Sequence, residues 1–198
     1  MGIFRRDRRT DANRDADAEL AFERGTREFR AGRYAEAATH LGDAVKLAPN
    51  SPEAQFLLGA ALFNVGKSKA AIGPLRRCLT LRPEHAEGLF ALGMALGRTG
   101  ELDTGLAHIS KAASLGEPKA LEMLPQLGAD YCRACTRPAH YAKGDTSASI
   151  LVMGPNIGMS CESCRTVLCG PCARRDRFGP MVLNCPDCEG PLAPLSRN

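Results

Sequence analysis

A chain of 198 residues with 44% hydrophobic and 24% charged side chains lies in the ordinary range of folded globular proteins, with room for one domain or two small ones. No run is long and apolar enough to span a bilayer; the best stretches, 54–66 and 146–161, are short and broken by glycine. A formal net charge of +4 is too small to draw nucleic acid strongly, which leaves the nine cysteines as the informative part of the composition.

Residues 1–17 carry five Arg and four Asp with only three large apolar side chains. Such a stretch cannot bury enough surface to offset the entropy of ordering, so it is expected to be a disordered charged leader. An interaction tail is the functional alternative, or a weak membrane-surface contact through Ile3 and Phe4 beside Arg5, Arg6, Arg8 and Arg9. The opening MGIFRRDRR has neither an apolar core segment nor a small-residue cleavage site, and a cytoplasmic, reducing location is the expectation.

From residue 18 to residue 128 the chain repeats with a step of 34. Gly25, Gly59 and Gly93 form one series, and Gly32, Gly66 and Gly100 a second. Ala37, Ala71 and Gly105 form a third, Ala44, Cys78 and Ala112 a fourth, and Leu41, Leu75 and Ile109 a fifth. Pro49 and Pro83 close the first two units, while Glu117 takes that place in the third, just before Pro118. Each unit reads as two amphipathic helices, for example 52–65 and 69–81, joined at a glycine that a tight turn accepts. The small residues have a physical purpose. Helix axes can approach to about 8 Å only where Gly, Ala or a compact Cys faces the neighbour, and Cys78 is therefore expected to pack rather than react.

On these residues the chain resembles the tetratricopeptide repeat (TPR) family over 18 to about 119, as three repeats, with ALEMLPQL at 120–127 as a short closing helix. It departs in lacking the tryptophan of the first helix and in placing Arg24 and Glu28 where apolar residues are usual. The resemblance implies an inner face lined by the first helix of each repeat. Phe22, Phe56 and Phe90 recur there, with Phe29 and Phe63 seven residues after the first two. Around them the resemblance places Thr26, Arg30, Ala60, Asn64, Met94 and Arg98. An apolar groove rimmed by arginine suits an extended or helical peptide with aliphatic anchors and a carboxylate. The alternative is that the rings only fill contacts between neighbouring helices. The family's clamp for a C-terminal carboxylate needs basic and Asn residues where Phe22 and Phe56 stand, so that specificity is not expected.

Residues 129–198 hold eight of the nine cysteines in four Cys-x-x-Cys pairs: Cys132 and Cys135, Cys161 and Cys164, Cys169 and Cys172, Cys185 and Cys188. One pair grips a metal from a single tight knuckle, and a tetrahedral ion needs two, so four pairs make two complete tetrathiolate sites. Two structural Zn²⁺ ions are expected, although iron satisfies the same geometry. Disulfides and redox-active dithiols are the alternatives, disfavoured by the expected compartment and by the absence of a βαβ pattern. Sequential sharing, with pairs one and two on one metal, and cross-braced sharing are both open to these spacings. The four-residue gap between the middle pairs, a helix-prone GPCARRDRF at 170–178 and the terminal NCPDC knuckle resemble the RING and FYVE class of treble-clef domains. That resemblance implies a cross-brace. One site would then be Cys132, Cys135, Cys169 and Cys172, and the other Cys161, Cys164, Cys185 and Cys188. Runs 149–153, 166–168 and 181–183 are β-prone. With so small a core, metal ligation is what folds this segment, at about 10–16 kcal/mol per site in model peptides.

The fold class expected is mainly α: a three-repeat TPR α-solenoid followed by a small α+β two-zinc cross-brace domain. The function expected is a protein–protein interaction adaptor, with a protein or peptide partner and no catalytic residues. A RING-type recruiter of ubiquitin-charging enzymes is the runner-up; Pro186 matches that class, whereas Ala134 and Glu189 stand where an aliphatic and a basic residue are usual. A zinc-thiolate redox switch and a nucleic-acid binder using Arg165, Arg174, Arg175 and Arg177 are further alternatives, the last without interleaved aromatics.

Overall fold

The computed structural model describes residues 8–127, 129–131, 138–140, 159–161, 167–168 and 192–194. They form seven helices and five short strands. The chain divides into two compact units, Met1–Leu102 and Asp103–Asn198.

The first unit holds α1 (Arg8–Arg30), α2 (Tyr34–Leu47), α3 (Pro52–Asn64), α4 (Ser68–Leu81) and α5 (Ala86–Arg98). Each helix packs on the next, and α3 also touches both α1 and α5. Gly59 shows why the step of 34 keeps small residues. A Cβ there would lie 2.5 Å from Cγ of Leu75, itself fully buried, and at Gly25 the matching distance to Leu41 is 2.6 Å. The turn glycines Gly32, Gly66 and Gly100 all have positive φ, 75°, 90° and 94°, a region other residues enter at a cost. Helix starts are fixed locally: Ser51 Oγ accepts from the Ala54 amide at 3.2 Å with Pro52 in the first turn, and His85 Nδ1 accepts from the Gly88 amide at 2.9 Å.

Apolar clusters result among the described residues. Ala37, Leu41 and Ala61 form one, with Phe22 and Phe29 against it. Ala71, Leu75, Leu92, Ala95 and Leu96 form another, with Phe56 and Phe63 against it. Each fully buried leucine contributes about 1.5–3 kcal/mol relative to exposure. Cys78 is completely buried, as packing requires, and burial pushes its thiol above the ordinary value.

Helix α1 differs from the expected boundary at residue 18: residues 8–17 are helical. Residues 13–17 are exposed, so burial does not hold that part of the helix. Once the later turns are anchored on α2, adding residues to an existing helix needs no new nucleus, and Ala16 and Arg14 are good helix formers. The polar departures in this repeat also find a place. Arg24 is exposed, and the Glu28 carboxylate takes a hydrogen bond from Arg33 Nε across the turn, which lowers its pKa.

In the second unit lie α6 (Leu102–Ser114) from Asp103 onward, α7 (Pro118–Gln126) and the strands. The closing helix expected at 120–127 is α7. Strand β1 (Ala129–Tyr131) follows it, packs against it, and pairs antiparallel with β2 (Pro138–His140), Tyr131 opposite Pro138. In a second sheet β3 (Met159–Cys161) lies between β4 (Val167–Leu168) and β5 (Leu192–Pro194), antiparallel to both. Met159 and Leu192 are buried there. Strand β4 falls in the run expected at 166–168; the runs at 149–153 and 181–183 and the helix expected at 170–178 lie outside the described residues. Among the described residues no helix is long and apolar enough to cross a membrane.

Candidate peptide-binding face

Helices α1, α3 and α5 are the first helices of the three repeats, and the phenylalanines stand on them at the repeat step. All five of these rings, Phe22, Phe29, Phe56, Phe63 and Phe90, are half-buried. The two readings of the rings are therefore not exclusive at the level of geometry. One side of Phe22, Phe29, Phe56 and Phe63 packs into these clusters, and part of each ring stays open to a partner.

Three of the rings have a particular neighbour. Phe29 meets Tyr34 edge-on with centroids 5.3 Å apart, and Phe56 meets the His85 imidazole at 4.7 Å, tilted by 40°. The Arg98 guanidinium lies over Phe63, 4.1 Å from the ring centroid, which ties the end of α5 to the end of α3. Arg98 is otherwise exposed, and so is Arg30 on α1. Asn64 spends its side-chain amide on the Ala60 carbonyl at 2.9 Å, so its carbonyl oxygen is the part left for a ligand. Met94 is half-buried on α5.

On α1 an open hollow of about 600 Å³ is bordered by Phe22, Glu23, Thr26, Arg27 and Arg30. The Thr26 hydroxyl is buried without a hydrogen-bond partner among the described residues. A buried hydroxyl left unpaired costs roughly 1–3 kcal/mol. Arg27 and Arg30 supply positive charge beside it, suited to a carboxylate.

Tyr34 and His85 were not among the expected site residues. They come from the second helix of repeat one and the turn before α5, and only the fold brings them to the rings. The signal available was the 34-residue register, which aligns His85 with Ser51 and marks it as a substitution in the repeat. Of the expected metal ligands, Cys132, Cys135, Cys164, Cys169, Cys172, Cys185 and Cys188 lie outside the described residues, and Cys161 is the last residue of β3.

A tetratricopeptide repeat family model matches residues 22–83. The crystal structure of MamA is similar with 27% identity and a TM-score of 0.52 over 56% of this chain, which spans 64% of that one. The first TPR domain of Spaghetti (RPAP3), solved bound to the HSP90 peptide SRMEEVD, is similar with 18% identity and a TM-score of 0.53, over 57% of this chain and 91% of that one. None of the curated proteins matches the chain in sequence. Residues 22–83 thus match the tetratricopeptide repeat model, and the helical part of the chain is similar in fold to MamA.

Proposed function

We propose that this protein is an interaction adaptor that holds a peptide segment of a partner protein on the face of α1, α3 and α5. The observation that carries the reading is the row of half-buried rings at one repeat position, left partly open and flanked by exposed Arg30 and Arg98. Aliphatic side chains of a partner would cover the open edges of Phe56, Phe63 and Phe90, and a carboxylate would sit near Arg27 and Arg30. The solved RPAP3 domain, of the same fold, holds a peptide with acidic residues.

The test is selection from a displayed peptide library against the full chain. Selected peptides should lose about tenfold in affinity for Arg30→Glu and for Arg98→Glu, with unchanged helical circular dichroism. Wild-type affinity in both variants would end this reading.

The C-terminal segment is read as a second, zinc-stabilised interaction module in a reducing compartment. Its donor set fits the metal, since four thiolate pairs fill two tetrahedral shells with no open position for catalysis. Strand register supports cross-braced sharing. Cys161 pairs with Leu192, four residues after Cys188 in the sequence. Strand β1, which leads into Cys132, touches β4, which leads into Cys169. Bound zinc would supply structure only; the residues would do no more than hold it.

A further inference from the structure

Repeats one and two differ at one junction in a way that specifies a ligand. At the second junction Glu53 of α3 is paired with Arg82, and the Phe56 ring is covered by His85. One repeat earlier the same places are Glu19 and Phe22 on α1, but the residues facing them are Ala48 and Ser51. The guanidinium and the imidazole are missing, and a hollow of about 250 Å³ stands there, lined by Asp15, Glu19, Phe22, Ala48 and Ser51 among others. Asp15 and Glu19 are exposed at its rim, and among the described residues neither is paired with a cation.

We propose that this hollow is a second docking point, for a partner peptide that inserts an arginine against Glu19 and Asp15 and a planar ring, imidazole or aromatic, against Phe22. The protein's own second repeat supplies the template. There Arg82 and His85, three residues apart on one turn, make both contacts at once. Two carboxylates at the rim with an aromatic floor select against acidic and purely aliphatic side chains. The hollow shares Phe22 with the face of Arg30 and Arg98 but differs in charge: there the sign is opposite and a carboxylate is the expected ligand.

The test uses the isotope-labelled full chain titrated with N-benzoyl-arginine amide, which carries a guanidinium and a planar ring. Saturable amide shifts are expected at Ala18, Glu19, Phe22, Ser51 and Ala54. Glu19→Gln should weaken the probe about fivefold, as should replacing it with N-benzoyl-alanine amide. The paired change Ala48→Arg with Ser51→His should abolish binding by filling the hollow from within. That variant is expected to fold, because His85 already caps α5 as Ser51 caps α3. Arg98→Glu should leave the titration unchanged, which separates this proposal from the peptide face. No saturable shift at these amides, or equal affinity in the filled variant, overturns the proposal. Shifts that emerge only after residues 1–7 are removed would assign the hollow to the chain's own leader, and shifts that follow protein concentration alone would assign it to a second copy; either outcome ends the partner reading.

Discussion

Gly59→Ala should destabilise the helical unit although alanine is the better helix former. A Cβ at this position would lie 2.5 Å from Leu75 Cγ, 2.8 Å from its Cδ2 and 3.3 Å from the Ala71 carbonyl oxygen. Leu75 is fully buried among Leu92, Ala95 and Leu96, so it has no free volume to retreat into, and the backbone oxygen can yield only if α3 and α4 separate. Overpacking of this kind costs about 1–3 kcal/mol, and contacts this short belong at the upper end. Helix propensity returns about 1 kcal/mol, which leaves a net loss of about 2 kcal/mol. Gly42→Ala in α2 is the control. Nothing lies within 4 Å of where a Cβ would stand, so only the propensity gain of up to about 1 kcal/mol remains. Thermal melts followed by far-UV circular dichroism should move in opposite directions, with each 1 kcal/mol worth about 4–8 °C in a unit of this size. If Gly59→Ala melted higher than the wild type, as Gly42→Ala should, close helix approach would not explain the repeat's small residues.

Pro74 stands inside α4, where it removes an amide from the ladder; Pro74→Ala should raise the melting temperature, since an interior proline costs roughly 3 kcal/mol, and a lower melting temperature would show that the proline is needed for packing. The Glu53 carboxyl is held below its ordinary value above all by its own backbone amide; burial opposes this, and Arg82 and His85 add smaller lowering effects. A depressed folded-state value gives stability that is present above the unfolded-state value and lost as pH falls through the folded one. Wild type should therefore exceed Glu53→Gln in stability at neutral pH, and the gap should close in acid; a gap that widens in acid contradicts the assignment. In the reduced, folded protein Cys78 should resist alkylation until the helices unfold, as mass mapping of labelled thiols would show, because burial both shields the thiol and raises its pKa. Chelation should erase secondary structure after residue 129 while leaving the signal of α1–α5, and a chelator with no effect on the strands would remove the metal from the account.

The repeat was legible because its physical cause is periodic. Gly59 against Leu75 and Gly25 against Leu41 are the same contact 34 residues apart, and helices expected at 52–65 and 69–81 lie at Pro52–Asn64 and Ser68–Leu81. The extension of α1 to Arg8 was not legible, since charge-rich composition speaks about burial and this segment is helical by continuation from a buried turn. Strands β1, β2, β3 and β5 span three residues each, too short for an alternation of period two to show, and β3 and β5 are set by pairing far along the chain. The aromatic positions of the face could be read from the register. Their partners, His85 on Phe56 and Arg98 on Phe63, come from other elements and needed the fold.

Mapping the amide shifts that a selected peptide causes in the full chain tests the adaptor reading most directly. The reading predicts a continuous set on the first helices of the repeats, including Thr26, Arg30, Phe56, Asn64, Met94 and Arg98. Shifts confined to the exposed sides of α2 and α4, around Asp43 and Gly73, would contradict it.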